Sequence, residues 1–113
     1  MYGGKDFSTS LMFISDLIDG LARIMGAPEY SGPVNIGSDV DLKLLDVAQQ
    51  IIDMTGSSSK VVDGDNFAFL SELALPQITA IKDLGWFPLV RLEDGLRRTV
   101  EYMKANKLLL TNV

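Results

Sequence analysis

The sequence predicts an α/β fold in which a small, partial sheet of short strands packs with about four helices. Three observations carry that expectation. Short apolar runs alternate with helix-period segments, glycine or proline punctuates the junctions, and only two or three runs are strand-like, fewer than the about five or six strands of a complete sheet. A length of 113 residues fits one domain over residues 1–113, enough to bury roughly two-thirds of the unfolded surface but too short for a cofactor domain plus a substrate domain.

Taken in order, Tyr2 to Lys5 can end a strand, with Gly3 and Gly4 allowing a turn of positive φ. Leu11 to Ile14 is a short apolar run of strand character. Ser15 or Asp16 can cap a helix to about Met25, in which Leu17, Ile18, Leu21, Ile24 and Met25 recur at three- and four-residue spacing before Gly26 and Pro28 stop it. Val34–Ile36 is a short buried strand closed by Gly37 and Ser38. Asp39 or Asp41 caps the next helix, whose Leu44, Leu45, Val47, Ala48, Ile51 and Ile52 form a wide apolar face ended by Gly56. Lys60–Val62 is a brief strand. Residues 63–75 are the least patterned, with turn chemistry at Asp63 to Asn66 and an apolar cluster at Phe67 to Leu70.

Near the end, Pro76 suits a first helical position, Pro76 to Leu84 is helical, and Gly85 suits the left-handed residue past a helix end. Trp86 and Pro88 then turn the chain, with Trp86 expected as a core anchor and not as a ring for stacking a base. A last helix spans about Leu92 to Lys107, with Leu92, Leu96, Val100 and Met103 inward and Gly95 costing up to ~1 kcal/mol relative to alanine. The apolar tail Leu108 to Val113 is expected to pack on something.

Composition excludes several function classes. A net charge of −5 argues against generic nucleic-acid binding, and no apolar run approaches the ~20 residues of a membrane span. The N-terminus shows no charged-then-apolar leader, so a cytoplasmic location is expected. Without cysteine or histidine there is no disulfide, thiolate site or imidazole base. The serines therefore lack an evident activator for nucleophilic chemistry. No Gly-x-Gly-x-x-Gly turn is present to cradle a pyrophosphate, so no cofactor is expected to bind this chain. Asp63 and Asp65 read as a turn, because the twelfth position of a calcium loop would be Ala74. Arg97, Arg98, Lys104 and Lys107 read as a solvated helix face with cations near its C-terminus.

Leu75-Pro-Gln-Ile-Thr-Ala-Ile-Lys-Asp-Leu-Gly-Trp-Phe-Pro88 resembles the Pro-Asp-Ile-x-x-Ala-Lys-x-x-Leu-Gly-Trp-x-Pro pattern that closes the extended short-chain dehydrogenase/reductases, the NAD-dependent nucleotide-sugar epimerases, dehydratases and decarboxylases. It is one residue shorter before Leu84. The resemblance covers nearly the whole chain. Tyr2 to Leu21 is similar to the family's Tyr-Gly-Asp-Gly-x-Gln-x-Arg-Ser-Phe-x-Tyr-Val-x-Asp-Leu-x-x-Gly-Leu, Gly32 to Gly37 to Gly-Pro-x-Asn-Ile-Gly, and Leu44 to Ile51 to Leu-Leu-Glu-Leu-Ala-x-x-Ile. The wording is nearest to UDP-glucuronate decarboxylases.

The resemblance implies the C-terminal, substrate-binding part of a two-domain enzyme, without its N-terminal NAD-binding Rossmann domain. It implies NAD as the cofactor of the parent family. It also implies that this chain alone is inactive, since Tyr2, Tyr30 and Tyr102 are followed four positions on by Asp6, Val34 and Asn106, not by the lysine of the family's Tyr-x-x-x-Lys pair. The family's substrate-facing positions fall at Phe7, Ser8, Thr9 and Ala74. Phe7 replaces a glutamine, and Thr9 and Ala74 replace two arginines that meet the diphosphate. Losing both removes about 3 to 6 kcal/mol from diphosphate binding, so nucleotide-sugar binding is expected to be weak or lost. An isolated copy should expose strand edges near Tyr2 to Gly4 or Val34 to Ile36 and form a homo-oligomer, by exchange of the N-terminal strand or the tail.

Overall fold

A computed structural model describes residues 7–27, 32–62, 64 and 75–107. The expectations for Tyr2 to Lys5, for Asp63, for residues 65–74 and for the tail from Leu108 lie outside the described residues.

The elements run β1 (Ser8–Thr9), α1 (Ile14–Met25), β2 (Leu42–Lys43), α2 (Leu44–Thr55), α3 (Thr79–Asp83) and α4 (Leu92–Ala105). β1 and β2 pair antiparallel, Ser8 opposite Lys43 and Thr9 opposite Leu42. The main-chain N–H of Leu44 extends the ladder to the carbonyl of Phe7 at 2.9 Å, which seats the start of α2 on β1. Among the described residues, four helices and a two-stranded ladder give the α/β arrangement with a small, partial sheet that the sequence led us to expect, but the strands lie elsewhere.

Leu11 to Phe13 is not a strand. It enters α1 directly, with extended Phe13 as the residue before the helix. Val34–Ile36 and Lys60–Val62 form no strand among the described residues. Ile36 is covered instead by packing on the core, so its apolar character reflects burial and not pairing.

Two caps differ from expectation because long-range contacts, of a side chain at α1 and of the strand ladder at α2, engage the chain there. Neither Ser15 nor Asp16 caps α1, because both Asp16 carboxylate oxygens accept main-chain N–H groups from Leu89 and Val90, each at 3.1 Å. Neither Asp39 nor Asp41 caps α2, which starts after Lys43 because the preceding residues are held in β2. Asp39 instead pairs with Lys82 at 3.2 Å.

α3 is shorter than the expected Pro76 to Leu84. Gln77 uses its carbonyl to accept the Asn35 side-chain amide at 3.2 Å, and Ile78 is off helical geometry at φ −110°, so regular helix begins only at Thr79. The helix stops follow the local signals. Gly56 is left-handed at φ +62° and Gly85 at φ +82°, where a side chain would be strained.

Ile78, Ile81 and Trp86 form the buried cluster, with Met12, Ile24, Val34, Ile36 and Leu84 packed against it; Val47 is buried separately on α2. Trp86 is 0% exposed, as expected of an anchor. It sits against α1 at Gly20, where an added Cβ would lie 3.1 Å from Ile36 Cγ2 and 3.2 Å from Trp86 Nε1. Gly95 lets α4 approach Phe13, with 3.3 Å from an added Cβ to Phe13 Cδ2, which accounts for a helix-weakening residue at that place. Met103, expected inward, is half exposed.

Candidate functional site

Phe7, Ser8 and Thr9 lie together on β1 and its approach, all half-buried, and are fixed through their main chain by β2 and the first residue of α2. Ala74 lies outside the described residues. Thr9 carries a short neutral hydroxyl and Phe7 an apolar ring. The strand therefore positions three side chains without giving them charge.

Two motifs about forty residues apart come together beside the core. Asn35 reaches the Gln77 carbonyl, and Gly37 lets the chain pass Pro76, with 3.2 Å from an added Cβ to Pro76 Cγ. The buried Ser38 hydroxyl accepts the Val40 N–H at 3.2 Å. With the Asp39–Lys82 pair, residues 35–39 are stitched to residues 76–82. That pair is partly exposed on both sides and contributes little stability alone.

The third gathering point is Asp16. Its carboxylate is buried, both oxygens accept N–H groups, and its own carbonyl accepts the indole N–H of Trp86 at 2.9 Å. Asp16 is thus a tie between α1 and the turn after Trp86, not a base poised for proton transfer. Its role was missed in the sequence, where it stood only as a matched position and a possible cap.

Of the basic cluster, Arg97 pairs with Glu93 at 2.9 Å and Asp94 at 3.2 Å, and Arg98 lies 5.6 Å above the centroid of Phe13. These contacts agree with a solvated helix face. A cavity of about 170 Å³ between residues 11–13 and α4 is lined by apolar groups, among them Phe13, Val90 and Leu96. No group of three or more Asp or Glu able to hold a metal is present among the described residues, and none of their helices is long and apolar enough to cross a membrane. The arrangement can hold a shape and bury a backbone; it assembles no proton-transfer pair among the described residues.

No family model matches the chain. The fold is that of the extended short-chain dehydrogenase/reductase epimerases and dehydratases, and the sequence is similar to UDP-glucuronic acid decarboxylases. It is 32% identical over 111 residues to UDP-glucuronic acid decarboxylase 1 of Xenopus tropicalis, covering 92% of this chain and 25% of that protein. Among solved structures, an epimerase of Methanothermobacter thermautotrophicus superposes with a TM-score of 0.93 at 23% identity, over 99% of this chain and 34% of that one. UDP-glucuronic acid 4-epimerase of Bacillus cereus, solved with a UDP-sugar and NAD, gives a TM-score of 0.83 at 20% identity, over 93% and 34%. The chain spans about a quarter of the length of the curated relatives it matches.

Proposed function

We propose that this chain is the C-terminal, nucleotide-sugar-binding part of an NAD-dependent nucleotide-sugar epimerase, dehydratase or decarboxylase, and that it is not catalytic alone. The observation that carries this is the match over 92% of the chain to 25% of a UDP-glucuronic acid decarboxylase. NAD and the proton-moving pair belong to the remaining part of such an enzyme, with residues 1–113 forming a single domain beside it in the cytoplasm.

A second reading, a non-catalytic binding or oligomerisation module, is favoured by one specific pattern. Several matched residues that survive have structural work in the fold: Asp16 and Trp86 tie α1 to the closing run, Gly20 and Gly37 allow close packing, Asn35 reaches Gln77 and Gly85 is left-handed. The two positions that would carry arginine are Thr9 and Ala74. Fold is kept where charge is lost.

Calorimetric titration with UDP decides whether these positions face the diphosphate. The chain itself is expected to bind UDP weakly, and the Thr9→Arg/Ala74→Arg variant at least about tenfold more tightly, or ~1.4 kcal/mol, with greater salt sensitivity. An unchanged affinity in the double variant would remove Thr9 and Ala74 from the site.

A further inference from the structure

α2 and α4 carry apolar surface that the core does not take up. Val47 is the one buried residue of α2, Ile51 is 38% exposed, and among the described residues the cluster around Trp86 includes none from α2. On α4, Met103 is 52% exposed although the helix period points it inward. These side chains meet in one groove. Ile51 and Thr55, one turn apart on α2, face Val100, Met103 and Lys104 of α4, and Lys107 just past its end, across a cavity of about 390 Å³. The four residues of the α4 side fall at three- and four-residue spacing, so they line a single face. Its two lysines can lay their alkyl stems along an apolar occupant and keep their ammonium groups in water.

We propose that Leu108 to Leu110, outside the described residues, fold back into this groove and clasp α2 to α4. The chain itself delivers them there, because Lys107 lines the groove and the three leucines follow it directly. Asn106 has φ −110° and ψ +25°, which takes the chain off the axis of α4, and its side-chain amide fixes the bend by donating to the Tyr102 carbonyl at 2.9 Å. The lengths agree. Three extended residues reach about 10 Å, and the face from Val100 to Lys107 runs about 10 Å along the helix. A segment tethered at the groove's edge has an effective concentration on the order of millimolar, and burying its leucines there releases water from both surfaces. The same leucines from a second copy lose that advantage on dilution.

The chain has no cysteine, so an introduced pair of thiols reports this contact without interference. Ile51→Cys is combined in turn with Leu108→Cys, Leu109→Cys and Leu110→Cys in the full chain, and each pair is equilibrated with glutathione in dilute solution. At least one pair is expected to close within a single chain, with an effective concentration about tenfold or more above that of Ile18→Cys with the same tail cysteine. Ile18 is exposed on α1 and serves as the control. In parallel, Leu108→Ser/Leu109→Ser/Leu110→Ser is expected to lower the melting temperature by about 4 °C or more. Ile51→Ala should then cost less in that background than in the parent, as it does for residues in contact. The proposal is overturned if no pair exceeds its control, if the serine variant melts with the parent, if the two changes are additive, or if the pairs close only between chains, which would make the tail of a second copy the occupant.

Discussion

The indole N–H of Trp86 donates to the main-chain carbonyl of Asp16 at 2.9 Å, while the carboxylate of the same aspartate accepts the N–H groups of Leu89 and Val90. One residue of α1 therefore holds both the anchor of the closing run and the turn that follows it. Removing it should be felt as a loss of acceptors more than as a loss of charge.

Asp16→Ala is expected to destabilise the chain by about 1 to 3 kcal/mol, because two part-buried N–H groups lose a charged acceptor. Asp16→Asn should cost less, since the carboxamide oxygen can still accept one of the two N–H groups. Urea denaturation followed by tryptophan fluorescence measures both, with Trp86 as the only tryptophan. Equal stability of the alanine variant and the parent would show that the tie is dispensable.

Gly20→Ala and Gly95→Ala should differ in size. Alanine gains up to about 1 kcal/mol of helix propensity at either site. At Gly20 the added methyl meets Ile36 and the rigid Trp86 ring at 3.1 and 3.2 Å, and overpacking of about 1 to 3 kcal/mol outweighs that gain. At Gly95 the nearest atom is Phe13 Cδ2 at 3.3 Å, on a half-buried ring with more room to give, so the change should stay within about 1 kcal/mol of the parent. Thermal denaturation of the pair checks the order.

The isolated chain is expected to bind NAD no better than a control protein, since its sequence offers no glycine-rich turn for the pyrophosphate. Micromolar affinity in a calorimetric titration would contradict this.

At micromolar concentration the isolated chain should self-associate, because Ile14, Ile18, Leu21 and Met25 leave an apolar stripe of α1 exposed. Sedimentation equilibrium would show a mass above 12.4 kDa that falls on dilution. A single 12.4 kDa species throughout would mean that the stripe is tolerated in water.

What the sequence made legible was local. α2 and α4 were readable because their apolar residues repeat with the helix period, and Gly56 and Gly85 because a left-handed residue past a helix end admits few alternatives. The strands were not, since two-residue ladders are too short to show alternation and Val34–Ile36 is apolar for contact with the core. The caps were misjudged where a long-range partner had engaged the side chain, which no local pattern reveals. Of the candidate positions, Ser8 and Thr9 fall on β1, where no strand signal was read, and the convergence of Asn35 with Gln77 depends on tertiary packing.

The Trp86–Asp16 bond spans 70 residues, and the two carboxylate bonds span 73 and 74. Closing a loop of that length costs about 4 kcal/mol in chain entropy before any contact is gained. During synthesis α1 thus emerges long before its acceptor atoms have anything to accept. The core closes only after Val90 has left the ribosome, so a nascent chain stopped short of that residue would hold helices but no fixed interior.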